Sequence, residues 1–441
     1  MGCLWQTVGH INHSLKAIMA VRKRTCVDLF AGCGGLSLGL ELAGFHPVFV
    51  NELNKDALES YLLNRDEIAP TLREESFHCN DVKELVTKKG RVAKLISDLA
   101  KVQRVKVLDG ELDLLVGGPP CQGFSGIGHR RSYSVDKEQL PSNFLYQDMA
   151  WLVNRLQPKI FLFENVRGLL NAKWTVLGKK GEIWEDVQHA FDTLKGYRVK
   201  AQLVYAKDYG VAQNRPRVLL VGVRKGIPMD AWEREGSSIA GGFLPRPTER
   251  GADLIDLLGD LVDENYENGM VATTKYPTAP KNALQRALRT CRDLRVLGKG
   301  ASLTEHEYSK HSARVLAKFV HMQAHDGRIA AAHKTKKFAQ RLLPSRWGDE
   351  GPTITATSLP DDYVHFSQPR ILTVREWARL QGFPDWYRFA GSRTTGGLRR
   401  AGNPREGVFD RELPKYTQIG NAVPIPLAHA VGQHFMKLLE G

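Results

Sequence analysis

The chain lacks features that would place it in several large protein classes. No apolar run in its 441 residues approaches the roughly 20 needed to span a bilayer, and there is no internal repeat. Basic residues follow the mildly apolar stretch near the start, which is the wrong order for a secretory signal. The six cysteines form no CxxC pair. These absences predict a cytoplasmic protein with free thiols.

Two common nucleotide-binding patterns are also missing. There is no complete GxGxxG and no GxxxxGK[ST], which argues against dinucleotide and triphosphate ligands. Instead, a glycine-rich turn runs from Asp28 to Gly35, where a backbone and a helix amino terminus can approach a ligand closely. Glu52, after the next apolar segment, is placed to accept hydrogen bonds from ribose hydroxyls, and Asp81 from an adenine amino group. This pattern favours an adenosyl sulfonium cofactor.

Positive charge is concentrated late in the chain. The net charge is +14, and residues 275–341 hold 15 Lys and Arg against 4 Asp and Glu. A focused excess is typical of a polyanion-binding surface, although a solvated helical face is the simpler alternative. The same window holds His306, His311, His321 and His325 without cysteine or carboxylate partners at ligand spacing, so we expect no metal site.

Short apolar segments alternate with amphipathic ones up to about residue 226. Strands are predicted at 26–30, 46–50, 112–116, 160–163 and 218–223, with helices at 36–43, 312–325, 375–380 and 426–439. This alternation predicts an α/β fold with a doubly wound, mostly parallel sheet. A Pro- and Gly-rich stretch near 245–251 indicates a linker. The predicted organisation is an extension (1–24), a catalytic and cofactor-binding domain (25–245), a smaller basic domain (246–405) and a return to the first domain (406–441).

Three reactive residue types lie at or near the ends of predicted strands. Cys121 comes directly after Gly117-Gly118-Pro119-Pro120, where a constrained loop would present a nucleophile; a buried structural thiol is the alternative. Glu164 ends an apolar strand, which would raise its carboxyl pKa, and such a residue is functional or ion-paired more often than idle. Arg215 and Arg217 precede another strand and suit a carbonyl or phosphate, or ordinary surface ion pairs.

Taken together, these segments resemble the bacterial-type DNA (cytosine-5)-methyltransferases, in unpermuted order over residues 24–441 apart from the basic segment. The motifs that carry the resemblance are Asp28-Leu29-Phe30-Ala31-Gly32-Cys33-Gly34-Gly35, Pro119-Pro120-Cys121-Gln122, Glu164-Asn165-Val166, Gln213-Asn214-Arg215-Pro216-Arg217, Arg375-Glu376 with Leu380-Gln381-Gly382-Phe383-Pro384, and Gln418-Ile419-Gly420-Asn421-Ala422-Val423-Pro424. Cys33 in the first turn and Ile425, where a second proline often stands, are small departures.

The resemblance implies a Rossmann-like methyltransferase sheet, a covalent mechanism and a basic target-recognition domain at 246–405, in which residues 275–369 would contact bases and phosphates. Cys121 would add to carbon 6 of a flipped-out cytosine, Glu164 would hold or protonate nitrogen 3, and Arg217 would contact the base carbonyl. Arg215 and Asn165 would support this pocket. Residues expected at the S-adenosyl-L-methionine site are Asp28, Phe30, Gly32, Gly34, Gly35, Leu36, Glu52, Leu53, Asp81, Val82, Pro119, Asn421 and Ala422. Residues expected on a loop that closes over DNA are Gln122, Ser125, Arg130 and Arg131.

The expected partner is double-stranded DNA, which would place the cytoplasmic protein at the nucleoid. The protein would act as a monomer, release S-adenosyl-L-homocysteine and work separately from any cognate restriction endonuclease. Its role would be in restriction-modification or as an orphan epigenetic enzyme. A tRNA cytosine-5 methyltransferase shares the same core, but the concentrated basic segment disfavours it. A catalytically dead DNA-binding regulator is disfavoured by the intact Cys121, Glu164 and Arg217.

Overall fold

The computed structural model describes residues 23–120, 141–229, 243–248, 250–334, 340–347, 351–356, 360–394 and 412–440. The chain divides into two compact units. The sheet unit comprises the described residues within Val21–Ala206, Pro216–Thr248 and Leu427–Gly441. The second unit comprises those within Lys207–Arg215 and Glu249–Pro426.

A seven-stranded sheet, counted over the described residues, forms the centre of the sheet unit. Its strands are β1 (Arg24–Leu29), β2 (Phe45–Asn51), β3 (His78–Cys79), β4 (Leu114–Gly117), β5 (Ile160–Val166), β6 (Tyr197–Tyr205) and β7 (Pro216–Arg224). Their order is β3-β2-β1-β4-β5-β7-β6. Neighbours from β3 to β5 are parallel, whereas β7 runs antiparallel to β5 and β6 runs antiparallel to β7. The predicted α/β class and Rossmann-like sheet are confirmed.

Helices follow most of the strands. In chain order they are α1 (Gly35–Leu42), α2 (Lys55–Leu63), α3 (Lys83–Thr87), α4 (Arg91–Lys101), α5 (Leu145–Leu156), α6 (Glu182–Asp192), α7 (Leu254–Leu258), α8 (Ala283–Leu288), α9 (Ala313–Ala324), α10 (Val374–Leu380), α11 (Lys415–Asn421) and α12 (Ile425–Glu440). Amphipathic spacing decides which face is buried: α4 buries Val92, Leu95 and Leu99 in the apolar core. Among the described residues, no helix combines the length and apolar character that crossing a membrane requires.

The core lies around the central strands. Every residue of β4 is buried, as are Val27 and Leu29 of β1, because helices cover both faces of a parallel sheet. This agrees with the uninterrupted apolar sequence predicted as a strand at 112–116. The parallel strands all end at the same edge of the sheet, and the turns that follow them therefore lie together.

The second unit contains α7 to α11 and a two-stranded parallel pair, β8 (Arg341–Leu342) and β9 (Tyr363–Val364). The predicted helix at 312–325 is confirmed as α9, which begins after Ser312, whose hydroxyl accepts a hydrogen bond from the Val315 N–H. The predicted helix at 375–380 is confirmed as α10, and all seven of its residues are buried. A capping box between Thr373 and Glu376 starts it.

Candidate active site

Glu164 and Arg217 form a buried ion pair in the sheet unit. Glu164 Oε1 lies 2.6 Å from Arg217 Nε, and the two side chains are 10% and 8% exposed. The antiparallel register explains the contact: Glu164 on β5 faces Leu219 on β7, so Arg217 lies diagonally across on the same face. Burial lowers the pKa of Arg217 below its usual value despite the attraction of Glu164. Sequence analysis allowed for an ion pair at Glu164 but did not name Arg217 as its partner.

A glycine leaves room for the second carboxylate oxygen. A Cβ placed on Gly118, just after β4, would lie 2.9 Å from Glu164 Oε2. Real Cβ atoms almost never approach a neighbour that closely, so a side chain here would displace the carboxylate. Glu164 is therefore confined between the Gly118 backbone and the Arg217 guanidinium.

Asn165 holds the backbone that leads to the predicted nucleophile. Its side-chain Nδ2 donates to the Pro119 carbonyl at 3.0 Å, and its Oδ1 accepts from the Val166 N–H at 2.8 Å. The first bond fixes the backbone just before Cys121, and the second holds the side chain against the end of β5. Cys121 itself lies outside the described residues, as do Gln122, Ser125, Arg130 and Arg131.

Arg215 belongs to the second unit and has a different environment from Arg217. Its guanidinium is buried and donates to the backbone carbonyls of Ile354, at 2.8 Å, and of Gly420. A further bond of 3.3 Å reaches the Ala422 carbonyl, directly after Asn421 at the end of α11. Arg215 therefore organises backbone within the second unit, including the segment of the predicted cofactor residues Asn421 and Ala422.

The glycine turn after β1 is tied to the end of β2. Glu52 accepts from the Gly32 N–H at 2.9 Å and from the Asn54 N–H at 2.8 Å. Burial raises the pKa of Glu52, although these two N–H groups oppose the shift. Phe30, Gly32 and Gly34 have φ values of +56°, +56° and +88°. The turn then continues into α1, which begins at Gly35.

The other predicted cofactor residues divide into buried and exposed groups. Asp28 is 1% exposed and bonds to the hydroxyl of Ser37, and burial raises its pKa to about 7. Leu36 and Val82 are also buried. Leu53 is 71% exposed, and Asp81 is exposed while it accepts from the Lys83 N–H. The exposed groups are accessible to a ligand, whereas Asp28 lies beneath the turn.

Sequence analysis missed Asn51, the last residue of β2. Its side chain is 1% exposed and bonds to the backbone at the ends of both neighbouring strands. A polar amide at the end of an apolar strand was the available signal. Over the part of the chain that the structure describes, no group of three His, Cys, Asp or Glu residues is arranged to hold a metal ion.

The sheet order and the acidic and basic groups at its strand ends define an α/β methyltransferase of the Rossmann-like type. The chain belongs to the C-5 cytosine-specific DNA methylase family, whose model matches residues 24–437. It is therefore a DNA cytosine-5 methyltransferase.

Two curated relatives cover most of the chain. The Type II methyltransferase M.XorII of Xanthomonas oryzae pv. oryzae is 31% identical over 438 residues, covering 94% of this chain and 85% of its own length. M.DdeI of Desulfomicrobium norvegicum is 29% identical over 433 residues, covering 94% and 89%. A solved prophage-encoded E. coli chain, provisionally described as a DNA modification methyltransferase, has a TM-score of 0.64 at 22% identity. It covers 95% of this chain and all of its own, and it supports the fold.

Proposed function

We propose that the protein methylates carbon 5 of a cytosine flipped out of double-stranded DNA, with Cys121 as the nucleophile. The observation that carries the assignment of roles is the buried Glu164–Arg217 pair beside the Pro119 carbonyl that Asn165 holds. A carboxyl group and a guanidinium on one face of a sheet match two adjacent polar atoms of cytosine, the ring nitrogen 3 and the carbonyl oxygen on carbon 2. Nitrogen 3 can share a proton with Glu164, and the base carbonyl can accept from Arg217.

The chemistry balances with one thiolate and one proton acceptor. The Cys121 thiolate forms a bond to carbon 6, and the electron pair moves to carbon 5 while Glu164 supports the charge at nitrogen 3. S-adenosyl-L-methionine supplies the methyl group that carbon 5 takes. A base then removes the carbon-5 proton, the bond to Cys121 breaks, and the aromatic ring is restored. Extrusion of the base from the duplex costs a few kcal/mol, which DNA contacts must offset.

The residues around the glycine turn fit an adenosyl cofactor. Apart from Gly32 itself and its two chain neighbours, no described heavy atom lies within 4 Å of the position that a Cβ on Gly32 would take, so the turn offers open backbone to a ligand. Glu52 lies next to this backbone and retains lone pairs for ribose hydroxyls. The exposed carboxylate of Asp81 is available to an adenine amino group. We assign Phe30, Glu52 and Asp81 as the main cofactor contacts.

The basic segment of the second unit is proposed to bind the DNA duplex. Its helix α9 presents Arg314 and His325 near its two ends, where both are exposed, and it contains no Asp or Glu. The apolar side of α9 is anchored, because Phe319 and Met322 pack against Val364 and Ile371. A basic helix fixed on its apolar side is suited to contact phosphates.

Covalent trapping tests this function. Random-sequence duplexes containing 5-fluorocytosine are incubated with the protein and S-adenosyl-L-methionine, then resolved on a denaturing gel. The fluorine cannot leave as a proton does, so we expect a stable adduct with the wild type and none with Cys121→Ser. Cys291→Ser, at a half-buried free thiol, is the matched control and should still form the adduct.

Other results would redirect the assignment. An adduct with fluorocytosine-substituted tRNA and none with duplex DNA would favour the tRNA enzyme. Tight duplex binding without any adduct would favour the inactive regulator. Sequencing the trapped duplexes would also identify the recognised DNA sequence.

A further inference from the structure

The buried side chain of Asn51 joins the ends of three neighbouring strands. Its Oδ1 accepts from the Phe30 N–H, directly after β1, at 3.3 Å. Its Nδ2 donates to the carbonyls of Cys79, at 3.1 Å, and of Asn80, at 2.8 Å, at the end of β3. The Asn51 backbone carbonyl also accepts from the Ala31 N–H at 2.9 Å. One residue at the end of β2 thus fixes the backbone on both sides of its strand.

These backbone positions carry the groups assigned to the cofactor. Phe30 is itself one of them, Glu52 is the next residue after Asn51, and Asp81 directly follows Asn80. Phe30 has a φ of +56°, a conformation that a bulky L-residue rarely adopts and that the surrounding bonds must maintain. A small displacement at Asn51 would therefore change the spacing of all three groups together.

The chemistry of this junction requires an amide. One side of the side chain meets an N–H donor, whereas the other meets two carbonyl acceptors. Aspartate has the same shape but would turn an oxygen toward both carbonyls, and alanine would leave the buried backbone groups without these partners. Only asparagine supplies an acceptor and a donor at this side-chain length.

We propose that Asn51 is a positioning residue that sets the spacing of Phe30, Glu52 and Asp81 and thereby determines cofactor affinity. This inference rests on the proposed function, because it takes those three residues as cofactor contacts. Asn51 makes no hydrogen bond to Glu164 or Arg217 among the described residues, so its replacement leaves the cytosine pocket in place.

The test compares Asn51→Ala and Asn51→Asp with Asn64→Ala in the full-length protein. Asn64 is another buried asparagine of the sheet unit; it follows α2 and donates to the Ser60 carbonyl at 2.7 Å. The dissociation constant of S-adenosyl-L-homocysteine is measured by calorimetry, and kcat and KM for S-adenosyl-L-methionine are measured at saturating DNA. We expect both Asn51 variants to raise the dissociation constant and KM at least tenfold, with kcat within twofold. Asn64→Ala should change neither binding value by more than twofold.

Asn80→Ala provides a variant at a less buried position. Its Nδ2 donates to the Glu52 carbonyl at 3.1 Å and so reinforces the same junction from the surface. We expect Asn80→Ala to weaken cofactor binding about threefold. This variant keeps the inference testable if an Asn51 variant fails to fold. Cofactor binding by the Asn51 and Asn80 variants equal to that of Asn64→Ala would overturn the inference, as would a loss confined to kcat. Failure of the wild type to bind S-adenosyl-L-homocysteine would instead contradict the proposed function.

Discussion

Replacement of Arg379 by alanine should destabilise the second unit strongly. Arg379 lies in α10 with its side chain fully buried between two carboxylates. Its Nη1 is 2.5 Å from Asp260 Oδ1, and its Nη2 is 2.6 Å from Asp385 Oδ2. Burial alone would raise the pKa of Asp385, but the Arg379 guanidinium outweighs it and holds that pKa below its usual range. Without Arg379, the two carboxylates would lose a shared counter-charge.

The contacts that Asp260 and Asp385 would keep limit how much stability is lost. Removing one partner of a buried ion pair typically costs about 3–5 kcal/mol. Asp260 would keep Arg289 at 2.7 Å, and Asp385 would keep the Tyr276 hydroxyl at 2.7 Å. We therefore expect the lower end of that range, about 3 kcal/mol in the free energy of opening. Because Arg379 is 1% exposed, DNA affinity of the folded protein should not change.

Hydrogen exchange measured by mass spectrometry on the peptide spanning α10 tests this expectation. The slowest amides of α10 report the opening of the structure that contains this helix. Arg388→Ala is the matched control, since Arg388 is exposed and its loss should change the free energy by less than about 0.5 kcal/mol. Equal protection in the two variants, together with weakened DNA binding by Arg379→Ala alone, would refute the structural role and indicate a DNA contact.

Two further predictions concern buried side chains whose pKa values are shifted by folding. Folding raises the pKa of Asp28 from 3.8 to about 7, so the folded chain keeps a proton that the unfolded chain releases, and this costs up to about 4 kcal/mol as pH rises from 4 to above 7. Asp28→Asn should therefore gain stability over the wild type between pH 5 and pH 8 in urea unfolding, and a pH-independent difference would contradict this. His365 Nδ1 accepts from the Ser367 and Gln368 N–H groups, and burial lowers its pKa to about 3. The folded state holds His365 neutral, whereas the unfolded chain takes up a proton below pH 6.5. The free energy of unfolding is therefore unaffected above pH 6.5 and is lower by about 2 kcal/mol at pH 5. His365→Asn should lose less stability than the wild type between pH 7 and pH 5, and equal losses would exclude this role.

Local pattern was sufficient to predict most elements of the fold. The strands expected at 26–30, 46–50 and 218–223 correspond to β1, β2 and β7 with ends shifted by at most two residues. The direction of β7 was not predictable, because a buried strand has the same apolar pattern whether its neighbour is parallel or antiparallel. β6 was missed because six of its nine residues are half-buried, which obscures any alternation.

For the candidate site, too, the sequence predicted the positions of residues along the chain but not their contacts with distant residues. The position of Glu164 at the end of an apolar strand was evident from sequence, but its partner depends on the register of β5 against β7. Asn51 contacts residues 21 and 29 positions away, which no local pattern specifies. The burial of the charged residues Arg375, Glu376 and Arg379 in α10 was not predicted. They are buried because they meet partners that lie elsewhere in the second unit, and a local sequence pattern does not reveal these.

Arg215 and Arg217 belong to one short motif but have different structural roles. They are separated only by Pro216, which begins β7, and the division between the two units falls between Arg215 and Pro216. Arg215 uses its forked guanidinium to bond several backbone carbonyls at once, a task for which a lysine ammonium has neither the plane nor the reach. Arg217 pairs with the Glu164 carboxylate and, among the described residues, donates to a single backbone carbonyl, that of Pro216. Loss of activity at position 215 therefore points to assembly of the second unit, whereas loss at 217 with unchanged stability points to the chemistry at Glu164.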